Sequence, residues 1–107
     1  MAKLTEMLAL RIYLSERERH EHKPLYEHLV LQAREAGLAG AVVLRGHMGF
    51  GHSRQLMTTK ILQLSEDLPV LIEIVDEAGK VEAFVDAIDG QLQGGLITVE
   101  KVMARRY

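Results

Sequence analysis

Residues 45–54 read RGHMGFGHSR, with Gly46, Gly49 and Gly51 set between Arg45 and Arg54 directly after the apolar run AVVL. Glycine permits positive φ and close approach to the backbone, so successive N–H groups can converge on an anion as a nest. Arginine supplies a planar fork whose parallel donors match a phosphate and whose charge does not titrate away. Such a loop either turns a corner or shapes itself around an anion. A connection that only turns rarely needs three flexible positions beside two cations, so a phosphate or other anion role stands level with the plain turn. A second cluster, GQLQGG, ends in Gly94 and Gly95 just before the last apolar run, and the chain closes on Arg105, Arg106 and Tyr107. Adjacent arginines on a strand point to opposite faces, so at most one of these two serves a given pocket. Arg11 and Arg45 read as outward-facing strand residues.

The remaining reactive side chains form weaker constellations. His20 and His22 in RHEHK, joined by His28, make an HxH pair on a charged connection. With no cysteine in the chain, a metal there would rest on imidazole and carboxylate alone. No metal is expected. His47 and His52 flank the glycines and can donate to phosphate when protonated. Ser53 has no recognisable base partner in a triad order, and Glu66 with Asp67 reads as a polar turn before Pro69, so no catalytic residue is assigned and an enzyme is not expected.

These features must be carried by one small domain, residues 1–107. A chain of 107 residues has room for one core, and 48% apolar with 26% charged residues is the composition of an ordinary globular domain. Thirteen basic against fifteen acidic side chains leave a net charge of -2, which gives no global reason to expect nucleic acid or an anionic membrane as main partner. The N-terminal apolar run is interrupted by Arg11 and Tyr13 and reads as a first strand instead of a signal or a span, with the cytoplasm as the expected location.

Period-two alternation of Leu8, Leu10, Ile12 and Leu14 predicts the first strand over 8–14. Pro24 opens a helix of roughly four turns that carries Leu25, Leu29, Ala33 and Ala36 on one stripe, widened by Tyr26 and Val30, and Gly37 closes it in a left-handed conformation. Gly37 and Gly40 are thereby explained as a helix stop and a turn. A second strand spans about 40–46 and runs into the glycine loop. MTTKILQL, residues 57–64, has some strand character, and VLIEIVD, residues 70–76, is the third strand. Val81, Phe84, Val85, Ile88 and Leu92 share one face of a second helix that starts near Glu77 despite Gly79. LITVEKVMARR, residues 96–106, is the last strand. The order βαββαβ predicts an α+β, ferredoxin-like sandwich: a four-stranded antiparallel sheet with two helices on one face and the other face wet or covered by another subunit. The supply of Met, Val and Ile favours the subunit.

Across nearly its whole length, through KPLYEHLVLQAREAGLAGAVVLRGHMGFG, LSEDLPVLIEIVD and GGLITVEKV, the chain resembles the DUF190 (UPF0166) family of small PII-like proteins. That resemblance implies a homotrimer that binds an adenine nucleotide (AMP, ADP or ATP) in clefts between subunits and serves in regulation or signalling. Carried over by position, Gly46, Gly49, Phe50, Gly51 and Arg54 line the cleft from the second strand, Gly94 and Gly95 form a phosphate-cradling loop, and Arg105 or Arg106 adds charge. The two glycine corners are expected to meet from adjacent protomers. PII proteins carry a long loop with a modifiable tyrosine between the second and third strands; the 52–68 segment here is shorter and has no tyrosine, so such modification is not expected. They also carry a lysine after the phosphate-loop glycines, where this chain has Leu96 and Ile97, which puts AMP and ADP level with ATP. The alternative function is a nucleotide-independent interaction subunit that regulates a membrane transporter or channel.

Overall fold

The computed structural model describes residues 3–59 and 67–107. Strand β1 (Thr5–Ser15) leads through a charged connection, which folds back on itself by pairing Arg19–His20 with Lys23–Pro24, into helix α1 (Leu25–Glu35). Strand β2 (Val42–Arg45) precedes the glycine loop. Strand β3 (Pro69–Asp76), helix α2 (Ala78–Ile88) with a 3-10 turn at Asp89–Gln91, and strand β4 (Leu96–Ala104) complete the chain. The sheet order is β2-β3-β1-β4 and every pairing is antiparallel, as the βαββαβ pattern predicts.

The alternation in β1 sends Leu10, Ile12 and Leu14 to one face, where they meet Val70, Ile72 and Ile74 of β3. Leu25, Leu29 and Ala33 of α1 and Val81, Phe84 and Ile88 of α2 cover that face, four and three residues apart as a helix stripe requires. Burial of each large side chain contributes about 1.5–3 kcal/mol, and the two helices therefore hold the sheet mainly through this layer. Ala36 lies outside it, exposed beyond the end of α1. That helix has 11 residues, about three turns in place of the four expected, because Pro24 caps it from outside and Gly37 stops it at φ +83°. The Leu38 N–H donates to the Ala33 carbonyl and closes the end.

No helix of the described residues covers the opposite face of the sheet. At its centre Arg11 lies between Glu73 of β3 and Glu100 of β4, with Arg11 Nε 3.0 Å from Glu73 Oε2, so this arginine is committed to a three-strand ion pair. Around it Val42, Leu44, Tyr13 and Leu96 stand exposed. Arg45 is committed too: it pairs with Glu16, a buried carboxylate that also accepts the Leu68 N–H. Of the strand character expected over 57–64, Met57–Thr58 pairs with Met48–Gly49, and residues 60–64 lie outside the described residues. Among the described residues no helix is long and apolar enough to cross a membrane.

Candidate functional site

Antiparallel pairing of β4 with β1 sets Leu96 opposite Tyr13, which brings the GQLQGG corner to the end of the sheet where β1 exits and β3 begins. The glycine loop after β2 folds over the same end. A cavity of about 710 Å³ opens between them, walled by Gly49, Phe50 and Gly51 on one side, Gly94 and Gly95 on the other, and Tyr13, Ser15, Arg17, Gln55 and Asp67 beneath. A Cβ placed on Gly94 would lie 3.8 Å from the His52 side chain. The two corners expected from adjacent protomers thus already meet within one. Sequence order hid this, because Gly51 and Gly94 lie 43 positions apart and only the β1–β4 register closes the gap.

The glycines act differently from the nest expected of them. Among the described glycines only Gly37 has a left-handed φ, and the non-glycine residues with positive φ are Glu21 and Arg54. The requirement for glycine at the corners is steric instead. A Cβ on Gly95 would lie 2.8 Å from the Tyr13 carbonyl oxygen, and one on Gly46 would lie 2.9 Å from Pro69 Cγ. Gly51 and Gly94 are the exceptions: Gly51 has open space where a side chain would be, and Gly94 has only the His52 side chain at van der Waals distance. A Cβ would therefore fit at either position without displacing backbone.

Phe50, Gly49, Gly51, Gly94 and Gly95 are brought together; four expected residues are not. Gly46 packs behind Pro69, to whose carbonyl its N–H donates at 2.8 Å, and Arg54 is not among the residues that line the cavity. Arg105 and Arg106 follow Ala104, which pairs with Thr5, whereas the cavity lies at the Leu96–Tyr13 end. At about 3.3 Å per residue that is some 26 Å along β4. Arg106 is moreover occupied, donating to the Val75 carbonyl at 2.8 Å and lying 3.4 Å from Asp76 Oδ1.

Sequence reasoning passed over Arg17, Ser15, Gln55 and Asp67. Ser15 Oγ donates to Asp67 Oδ1 at 2.9 Å, Arg17 Nε lies 3.4 Å from Asp67 Oδ2, and Arg17 Nη1 donates to Gln55 Oε1 at 3.2 Å. Arg17 sits in the charged run SERERHEHK, where nothing in type or spacing separates it from its solvated neighbours. Asp67, expected as part of a polar turn, is instead largely buried against the cavity floor. His20 of that run stacks on His28 of α1 with ring centres 3.8 Å apart and planes 14° from parallel, and among the described residues no three potential metal ligands gather.

Residues 7–104 match the DUF190 family, described as "Uncharacterized ACR, COG1993". A UPF0166 protein of Aquifex aeolicus is 44% identical over 93 residues, covering 87% of this chain and 88% of that protein. Among solved structures, a protein of Thermus thermophilus described as PII-like superposes with a TM-score of 0.70 at 13% identity, covering 94% of this chain and 91% of its own. CPII of Thiomonas intermedia, bound to ADP and bicarbonate, gives 0.66 at 20% identity, covering 97% and 93%. Likeness at that identity speaks to the fold, which is PII-like and ferredoxin-like. The family follows from the sequence match over most of the chain: this protein belongs to the DUF190 family.

Proposed function

We propose that the protein is a non-enzymatic regulatory subunit that binds an adenine nucleotide in the cavity between its two glycine corners, within an oligomer of three copies. The observation that carries this reading is the cavity itself: Gly49, Gly51, Gly94 and Gly95 line it, a Cβ on Gly51 would meet open space, and the exposed rings of Phe50 and Tyr13 line the same space. Exposed glycine backbone suits a phosphate, and an aromatic ring suits a base. The complex of CPII with ADP and AMP supports the ligand class.

A second copy of the chain is the natural cover for the open sheet face. Val42, Leu44 and Leu96 are each more than half exposed around the Arg11 ion pair, whose two carboxylates already neutralise its charge. Contiguous apolar surface of this kind on a soluble domain marks an interface. Assembly would also bring in arginine that the single protomer cannot deliver. Arg106 is tied to Val75 and Asp76, so Arg105, at the exposed end of β4, is the one offered to a neighbour's cavity.

Isothermal titration with AMP, ADP, ATP and cyclic AMP tests the reading, alongside light scattering for the oligomer. Saturable binding by at least one nucleotide to a trimer is the expected result. Heat with none of them would remove the nucleotide assignment. Arg105→Ala should weaken binding by about tenfold or more, the loss of one charge-assisted hydrogen bond. Arg106→Ala should act on stability instead.

A further inference from the structure

We infer that Arg17 is the phosphate-reading cation of the cavity and that Asp67 makes the cavity selective for a nucleoside monophosphate over a triphosphate. The inference rests on the nucleotide reading above and adds to it the residue and the charge rule. Among the described residues that line the cavity, Arg17 is the one guanidinium and Glu18 and Asp67 are two carboxylates. Glu18 is engaged locally, accepting the Ser15 N–H at 2.8 Å. The nearby arginine Arg45 is held by buried Glu16.

Arg17 is the least committed of the ion-paired arginines near this end. Its side chain is 56% exposed, and its contacts of 3.4 Å to Asp67 and 3.2 Å to Gln55 are long beside the usual 2.9–3.0 Å of an N–H···O bond. Two loose contacts can be exchanged for a bidentate bond to a phosphoryl group at small cost. Asp67 cannot move aside with equal ease, because its carboxylate is 13% exposed and is held by Ser15 Oγ at 2.9 Å. It stays beside the incoming phosphate. Arg17 and the Arg105 that a neighbour offers on assembly together offset the charge of a single phosphoryl group; each further phosphoryl group meets the standing negative charge without a partner, since Leu96 and Ile97 provide none.

The test is titration of the assembled full-length protein with adenosine, AMP, ADP and ATP in magnesium-free buffer at fixed ionic strength. The expected affinity order is AMP, then ADP, then ATP. Arg17→Gln should weaken AMP by roughly tenfold to a hundredfold and leave adenosine unchanged, while Arg17→Lys retains part of the AMP affinity. Asp67→Asn, which keeps an acceptor for Ser15, should narrow the gap between AMP and ATP by strengthening ATP. Adenosine binding serves as the control for folded protein in every variant. Equal AMP affinity in Arg17→Gln and the parent overturns the inference while the nucleotide reading stands, as does a parent that prefers ATP. A parent that binds none of the four overturns both.

Discussion

An aspartate paired with an arginine stands at each end of β3, Asp76 as its last residue and Asp67 two residues before its first, and the two pairs serve opposite purposes. Asp76 is 2% exposed, accepts the Ala39 N–H at 2.9 Å and the Glu77 N–H at 2.7 Å, and has Arg106 at 3.4 Å. It ties the turn after α1, the start of α2 and the end of β4 into one knot. Among the described residues Asp67, just before the other end, ties only Ser15 and Arg17, and its arginine stands on the wall of an open cavity. A buried carboxylate with backbone donors is a fastener, because removing it strands several polar groups at once. A half-exposed arginine at long range from its carboxylate adds little to the fold and is therefore free to serve a ligand.

The sharpest way to break this contrast is Asp76→Ala, which should cost about 3 kcal/mol in urea unfolding by orphaning two backbone N–H groups and removing the ion pair with Arg106. Arg17→Ala, by contrast, should change stability by no more than about 0.5 kcal/mol. If the two variants unfold at the same urea concentration, the division between fastening and binding ends is wrong.

Gly95→Ala comes next, at about 2 kcal/mol, since its Cβ would press on the Tyr13 carbonyl oxygen 2.8 Å away and neither backbone segment can retreat without loosening the β1–β4 ladder. A midpoint unchanged from the parent would show that the corner has room to shift.

Acid should expose the Asp76 knot more gently. Burial alone would raise this carboxyl, but the Ala39 and Glu77 N–H groups and the charges of Arg106 and Lys80 outweigh it and hold the pKa below the usual carboxylate value. The unfolded chain therefore binds the proton more readily. The stability from this group is fully present above about pH 3.9 and drains as pH falls through the lower native value. Asp76→Asn should flatten that acid limb in a pH series of unfolding midpoints, and an unaltered limb would assign it to other carboxylates.

The smallest effect on stability belongs to Gly51→Ala and Gly94→Ala, within about 0.5 kcal/mol, because neither Cβ meets a close neighbour. Nucleotide affinity should nonetheless fall in both. Retained affinity would place the phosphate away from these walls.

Much of the scaffold was legible because it follows from local periodicity. Leu8, Leu10, Ile12 and Leu14 alternate as a half-buried strand must, Leu25, Leu29 and Ala33 recur as a helix stripe must, and Gly37 stops the helix in the conformation expected. The glycine corners were legible as unusual, but the reason for them was misread: Gly46 and Gly95 yield space to Pro69 and to Tyr13, contacts that no local pattern encodes. Arg17 was invisible for a related reason. In a run of alternating charges one arginine resembles the next until the fold shows which one faces Asp67.

By itself, then, the sequence determined the order of elements, the buried faces and the places where backbone must come close to something, since each depends on neighbours a few positions away. Tertiary structure alone decided that the two glycine corners share one cavity, that Arg105 and Arg106 lie at the far end of β4, and which arginines are already paired. The physical reason is that register between β1 and β4 converts distance along the chain into distance in space, and that register is set by the packing of the whole sheet.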